Sequence, residues 1–90
     1  MTVMERIIYN RVALFRNESG LSRKDLAMRV GVHPQTIGFL ERGDYNPSLS
    51  LAMKIAELFA VPVDMIFAFE PFESVATSLL RARENQNDQF

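Results

Sequence analysis

Apolar residues recur along this chain at spacings of three and four, which is typical of α-helices with one buried face. Thr2 with Glu5 has the spacing of a capping box and predicts a first helix that opens there and runs to about Asn17. A short strand at Ile7–Tyr9 is the alternative for part of the same segment. The apolar positions that favour the helix are Met4, Ile8, Val12 and Phe15.

Two short helices joined by a glycine are predicted next. Ser22 with Asp25 forms a second capping box, and Gly31 breaks the helix after about two turns. Pro34 suits the first position of the following helix, and Gly43 ends that helix. The apolar residues that can share one core are Leu26, Ala27, Val30, Ile37 and Leu40.

The remainder of the chain is also predicted to be helical. Ser48 caps a fourth helix from Leu49 to about Phe59, and a short fifth helix is expected near Val63–Phe67. Pro71 is expected to start a sixth, which ends at about Arg83. The predicted fold class is therefore all-α, with a five-helix domain over residues 1–69 and a helical extension with a frayed tail over residues 70–90.

Composition narrows the function classes. The 90 residues suit one domain, and with no cysteine the chain has neither disulfides nor thiolate metal sites. A single histidine provides no metal cluster and no Ser/His/Asp set, so we expect no enzyme, no metal and no cofactor. No apolar run reaches the roughly 18 residues of a membrane span, and the first residues lack the order of a signal peptide. A cytoplasmic protein is expected.

Charge is distributed unevenly. The formal net charge is −1, which is unusual for a nucleic-acid-binding domain. Residues 64–90 hold five acidic and two basic residues, so the acidity lies in the tail. The local face rather than the total charge decides binding to a phosphate backbone.

Residues 22–43 carry the most informative spacing. Counted from Arg23, Ala27 is fifth, Gly31 is ninth and Ile37 is fifteenth. A small residue at the first of these positions lets two helices cross closely, and glycine accepts the left-handed conformation of a tight turn. A β-branched residue at the third fills the angle between the helices.

These residues stand within a longer pattern that includes GLSRKDLA, VGV-x-x-QTI, LERG and YNPSL-x-x-A-x-KIA. Over residues 10–69 the sequence resembles the Cro/repressor-like, or Xre-type, helix-turn-helix regulators. The resemblance implies a sequence-specific regulator of transcription that binds double-stranded DNA, with a recognition helix over about residues 34–42 in the major groove.

The resemblance also implies roles for individual side chains, with solvated helix surface as the alternative for each. Base contacts are expected from Gln35, Thr36 and Phe39, although Phe39 is equally well placed to pack on the fourth helix. Phosphate contacts are expected from Arg23, Lys24, His33, Arg42, Tyr45 and Asn46. Arg16 and Glu41 are expected to form a structural ion pair.

Gly38 lies inside the predicted recognition helix, where glycine costs about 0.5–1 kcal/mol relative to alanine. Room for a close approach of the sugar-phosphate backbone would explain a glycine at this position.

Surplus apolar residues predict a homodimer interface outside the motif. In the last helix the stripe comprises Phe72, Val75, Ala76, Leu79 and Leu80. Ile7 and Leu14, seven residues apart, would share one face of the first helix. The alternative is that the first and last helices pack on each other within one chain.

A second function class remains open. In some antitoxins with this domain, the fold serves to bind a protein. The acidic, apolar tail of this chain would then engage a partner such as a toxin.

Overall fold

A computed structural model describes residues 6–87 of the chain, without the side chains of residues 75, 78 and 85–87. The described part is mainly helical, and its two short strands pair with each other. In chain order its elements are β1 (Tyr9–Asn10), α1 (Val12–Glu18), α2 (Arg23–Val30), α3 (Pro34–Glu41), α4 (Leu49–Phe59), a 3₁₀ turn (Val63–Met65), β2 (Phe67–Ala68) and α5 (Val75–Asn87). The all-α class is confirmed, but the predicted five-helix domain has four α-helices and a 3₁₀ turn, and α5 is the helix of the extension.

Local chemistry defines α2 and α3 as the sequence predicts. The Ser22 hydroxyl accepts a hydrogen bond from the Asp25 N–H (3.0 Å), and the Asp25 carboxylate accepts one from the Ser22 N–H (3.3 Å). This is a complete capping box, which satisfies donors that a helix start leaves unpaired. Gly31 ends α2 with a φ of +77°, the left-handed conformation that glycine adopts without strain.

The core lies beneath α2 and α3. Ala27 is fully buried, so α3 can approach α2 over a residue without bulk. The side chains with almost no exposure come from five different segments, and they are Val12, Leu26, Ile37, Leu40, Ile55 and Ile66. Because a close-packed core resists small shifts, it fixes the position of α3 relative to the rest of the domain.

The first helix starts later than predicted. Thr2 and Glu5 lie outside the described residues, and the helical prediction is wrong for residues 6–11, since α1 begins at Val12. Tyr9 and Asn10 instead pair antiparallel with β2, Tyr9 opposite Ala68. The side chain of Asn10 accepts the Val12 N–H (3.1 Å) and starts α1 there. The strand alternative was the better interpretation of this segment.

Two further elements have bounds that differ from the prediction. The fifth helix is a single 3₁₀ turn, Val63–Met65, because the chain then extends to pair with β1. Helix α5 runs from Val75 to Asn87, whereas the prediction was from Pro71 to about Arg83. At its start the Ser74 hydroxyl accepts the Thr77 N–H (3.1 Å). Among residues 6–87, no helix combines the length and apolarity that a membrane crossing requires.

Candidate nucleic-acid interface

Helix α3 presents one face to the core and the opposite face to solvent. Ile37 and Leu40 are buried, whereas Gln35 is exposed and Thr36 is half-buried. Phe39 is 46% exposed, so much of its ring faces solvent rather than the core. The three predicted base-reading residues therefore lie on an accessible part of a helix whose other side is held rigidly.

His33 is the N-cap of α3. Its ring Nδ1 accepts a hydrogen bond from the Gln35 N–H (3.1 Å), so the imidazole takes the capping role that a short polar side chain most often has in helices. In the neutral ring with Nδ1 as acceptor, Nε2 carries the proton. His33 is exposed, and it can therefore offer an N–H donor to an anion beside the start of α3.

Glu41, at the end of α3, binds two arginines. Arg16 Nε donates to its Oε2 at 2.7 Å, which is the pair that the resemblance implies. Arg23 Nε donates to its Oε1 at 2.8 Å, a contact that sequence reasoning missed because it considered Arg23 only as a phosphate ligand. Arg16 also donates from Nη1 to the Leu21 carbonyl (3.0 Å). Glu41 thereby joins α1 and α2 to the end of α3.

The Glu41 carboxylate is well stabilised in its charged form. Its side chain is only 3% exposed, and this burial alone would raise its pKa. The hydrogen bonds from Arg16 and Arg23 outweigh burial, and the pKa of Glu41 is lowered from its ordinary value. Glu41 is thus ionised at neutral pH and keeps both arginines in place.

Arg42 is the other arginine beside α3. Its Nε donates to Asp44 Oδ2 at 3.2 Å, and its guanidinium carbon lies 5.1 Å from the centroid of the Phe39 ring. This distance permits a cation–π contact. Tyr45 and Asn46, which follow in the loop, are exposed. Lys24, also a predicted phosphate contact, is exposed on α2.

Asn10 supports the same helix from below, and its role was not predicted. Its Nδ2 donates to the Leu40 carbonyl at 2.9 Å, and this carbonyl also accepts the Gly43 N–H at 3.0 Å where the helix ends. An asparagine near a helix start is a capping signal, which would have indicated its bond to Val12. The bond to Leu40 has no local signal because 30 residues separate the two partners.

The residues predicted for a dimer interface are distributed over several surfaces. Leu79 and Leu80 are 54% and 58% exposed, so intrachain packing does not cover this part of the stripe. Phe72 is half-buried, with the Arg11 guanidinium carbon 3.9 Å from its ring centroid. The side chain of Val75 lies outside the described part of the structure.

Ile7 and Leu14 do not share a helical face as predicted, since Ile7 precedes β1 and only Leu14 is helical. Both side chains are nevertheless exposed.

A second exposed apolar surface was not anticipated from the sequence. It is a groove of about 600 Å³ between the start of α4 and β2. Leu49, Val63 and Phe69 are exposed along it.

Nothing in residues 6–87 gathers three or more histidine, aspartate or glutamate side chains into a group able to hold a metal ion. The described polar side chains around α3 act through hydrogen bonds and charge, which suits the binding of an anionic polymer.

Comparison with known proteins places this geometry among DNA-binding proteins. A family model described as helix-turn-helix matches residues 12–66. An uncharacterized HTH-type transcriptional regulator of Archaeoglobus fulgidus is 48% identical over 63 residues, which cover 70% of this chain and 89% of that protein. The uncharacterized HTH-type transcriptional regulator YgzD of Bacillus subtilis is 41% identical over 61 residues, which cover 68% of this chain and 92% of that protein.

A solved structure extends the likeness to three dimensions. The restriction-modification controller protein C.AhdI from Aeromonas hydrophila superposes with a TM-score of 0.55 at 30% identity, covering 59% of this chain and 80% of that protein. The residues that the family model matches, 12–66, include the α2–α3 pair.

Proposed function

Because this chain belongs to the helix-turn-helix family, we propose that it regulates transcription by placing α3 in the major groove of a specific double-stranded DNA sequence. The single observation that carries this proposal is the two-sided character of α3. Its inner side is fixed by the core and by the Arg16–Glu41–Arg23 cluster, while Gln35, Thr36 and Phe39 are left accessible. A DNA regulator of this kind acts in the cytoplasm.

Residues around α3 divide into two roles. Gln35 and Thr36 at its start, with Phe39 one turn later, contact base edges, where an amide can pair with adenine and a phenyl ring can pack on thymine methyl groups. The exposed basic and polar residues nearby bind phosphates and position the helix without reading sequence. They are Arg23, Lys24, His33, Arg42, Tyr45 and Asn46.

Selection of bound duplexes from a random library tests the function and supplies the site. Binding is expected to weaken with salt, with log K falling by roughly 0.9 per neutralised phosphate for each unit of log salt. Affinity that stays flat from low to physiological salt, or a library with no enriched sequence, contradicts the proposal.

The division of roles has its own test. Gln35→Ala is expected to relax base preference at one position of each half-site, by about 1–3 kcal/mol. Arg42→Ala is expected to weaken binding to all DNA sequences about equally, because phosphate contacts carry no information on base identity. Identical specificity profiles for the two variants would show that the division is wrong.

We further propose a homodimer held by the α5 stripe, with Leu79 and Leu80 at its centre. One recognition helix contacts few base pairs, and two-fold pairing presents two such helices to successive major grooves about 34 Å apart. The exposure of both leucines supports this interface, because large apolar patches are rarely left bare on a monomer. Phe72, Val75, Ile7 and Leu14 are the proposed neighbours in it.

Sedimentation at micromolar concentration tests the interface with a matched pair of variants. Leu79→Asp is expected to give a folded monomer, whereas Leu49→Asp, which places the same charge in the groove beside α4, is expected to leave the dimer intact. The reverse result would move the interface to that groove. A wild-type protein that stays monomeric on palindromic DNA would contradict dimerisation altogether.

The same exposed leucines also fit a protein-binding module, such as an antitoxin with this fold. Two observations separate the candidates. A salt-dependent shift of duplex DNA on a gel favours the regulator, and co-purification of one defined second chain from the native host, without any DNA shift, favours the module.

A further inference from the structure

A cleft of about 400 Å³ opens on the outer surface where the start of α2 meets α3. Its lining residues are Arg23, Pro34, Gln35, Gly38, Phe39 and Arg42. We propose that this cleft holds a single DNA backbone phosphate, gripped from opposite sides by Arg23 and Arg42 above a floor made by Gly38. The inference rests on the proposed function and makes it specific, since the two arginines share one phosphate instead of contacting separate ones.

Both arginines are oriented in the same way before any ligand arrives. Arg23 uses its Nε for Glu41 (2.8 Å), and Arg42 uses its Nε for Asp44 (3.2 Å). For neither arginine does the structure record a hydrogen bond from a terminal Nη group within residues 6–87. A guanidinium held through Nε keeps its Nη groups ready for phosphate oxygens, which it binds in a fixed fork geometry.

The local charge matches one phosphodiester. Arg16, Arg23 and Arg42 carry three positive charges, and Glu41 and Asp44 carry two negative ones, which leaves one positive charge beside the cleft. Each phosphodiester of a nucleic acid carries one negative charge. The carboxylates therefore set the direction of the arginines without cancelling the attraction.

Gly38 explains the depth of the cleft. Its backbone has no left-handed conformation that would require glycine, and an added Cβ would meet only the Nη1 atom of Arg42, at an ordinary 3.6 Å. Neither folding nor packing thus demands a glycine inside α3. Gly38 is itself buried, so the missing side chain allows the Arg42 guanidinium to lie close to the helix backbone, at the bottom of a cleft that an oxyanion can enter.

Salt dependence of duplex binding distinguishes one shared phosphate from two separate ones. The variants are Arg23→Gln, Arg42→Gln and the double substitution, with Lys54→Gln on α4 as the control for loss of a remote positive charge. A shared phosphate predicts that the double variant lowers the slope of log K against log salt by no more than about 0.9. Two separate phosphates would lower it by about 1.8 and overturn the inference.

Neutral backbone linkages locate the contact. Single methylphosphonates are placed along the duplex recovered by selection, one position at a time. The inference predicts one linkage per half-site whose neutralisation weakens duplex binding by the wild type about tenfold and does not change duplex binding by the double variant. Two linkages, each sensitive to only one arginine, would overturn it.

The floor is tested by filling it. Gly38→Leu is expected to weaken binding to the duplex at least tenfold and to abolish the effect of the methylphosphonate linkage. Gly38→Ala is expected to have a smaller effect on binding. A thermal midpoint no lower than that of the wild type for Gly38→Ala shows that the loss comes from the cleft and not from unfolding. Unchanged binding by Gly38→Leu would contradict the proposed floor.

The source of the phosphate and the proposed function are separable in the same experiments. Titration with inorganic phosphate, followed by the Nε–H resonances of both arginines, should need far higher concentrations than the duplex does. Shifts with inorganic phosphate alone would overturn the assignment to the DNA backbone. A wild type that binds no duplex would refute the DNA-binding function too, whereas additive slopes with intact binding would remove only the shared cleft.

Discussion

The α2–α3 pair and helix α5 both carry leucines, yet they bury them very differently. Leu26 and Leu40 are almost inaccessible, whereas Leu79 and Leu80 are more than half exposed. The first two face a core supplied by α1, α4 and the segment around Ile66, while α5 follows residues 69–74, which have no regular secondary structure. An amphipathic pattern thus states that a face is suited to burial, but not which surface will cover it.

Ion pairs show the same difference. Arg16 and Glu41 are 12% and 3% exposed and join separate helices, so each charge depends on the other. Arg81 and Glu73, in the C-terminal segment, form a more exposed pair, with 68% and 34% of their side chains accessible. Similar chemistry therefore contributes to the fold in one region and little in the other, because water screens the exposed pair.

The largest contrast is expected from one substitution made in both regions. Leu40→Ala should lower the free energy of unfolding by about 3 kcal/mol, because it leaves a cavity in the core. Leu79→Ala should change it by less than about 0.5 kcal/mol at concentrations where the chain is monomeric. Urea unfolding of both variants measures this, and equal losses would mean that α5 is part of the cooperative core.

A smaller contrast is expected between the two ion pairs. Arg16→Ala should lower the free energy of unfolding by about 2 kcal/mol, since it leaves the buried Glu41 carboxylate short of a partner. Arg81→Ala should cost less than about 0.5 kcal/mol. Thermal melts compare the two, and base preference should be intact in both variants. A melting temperature unchanged by Arg16→Ala would show that the Glu41 cluster does not stabilise the domain.

A pH titration tests the cluster from the side of Glu41. Burial raises the pKa of this carboxyl, but the hydrogen bonds from Arg16 and Arg23 lower it by more than burial raises it. The folded protein therefore holds the proton less tightly than the unfolded chain. The stabilisation is therefore complete above about pH 4.5 and is lost as the pH falls through the lower, folded-state pKa. The wild type should be more stable than Glu41→Gln at neutral pH, and this difference in the free energy of unfolding should disappear in that acid range.

The control for this titration is the same comparison in an Arg16→Ala background, where the acid dependence should shrink. A difference in the free energy of unfolding between wild type and Glu41→Gln that stays constant from pH 7 to pH 3 would contradict the lowered pKa.

The smallest contrast concerns helix caps. Ser22 and Ser74 each accept the N–H of the residue three positions later, at the starts of α2 and α5. Ser22→Ala should lower the free energy of unfolding by about 1 kcal/mol, because it removes a cap from the cooperative core. Ser74→Ala should reduce helicity by circular dichroism without moving the urea midpoint. A shifted midpoint for Ser74→Ala would show that α5 unfolds together with the motif.

Local signals account for the elements that were predicted well. The Ser22 and Ser48 caps, Gly31 and Pro34 act through atoms within a few residues, so their effects can be read from the sequence. Thr2 and Glu5 show that a local capping signal can also predict a helix where none forms. A capping spacing there predicted a helix through residues 6–11, where pairing with β2 prevailed.

The site follows the same division. The exposed face of α3, with Gln35, Thr36 and Phe39, was predicted from helical periodicity and from resemblance to a known family. Arg23 was singled out as a phosphate ligand, but its bond to Glu41 depends on how α2 lies against α3. The bond from Asn10 could not be predicted for the same reason, because its partner carbonyl belongs to Leu40, 30 residues away.

By itself, the sequence determined the helical class, the two helices of the motif with their turn, and the face of α3 that meets solvent. These depend on hydrogen bonds and side-chain periodicity within one or two turns of chain. Only the tertiary structure decided the β1–β2 pairing, the double hold on Glu41 and the cleft between Arg23 and Arg42. Each of these joins residues distant along the chain, and their meeting depends on the packing of the whole core, which no local pattern encodes.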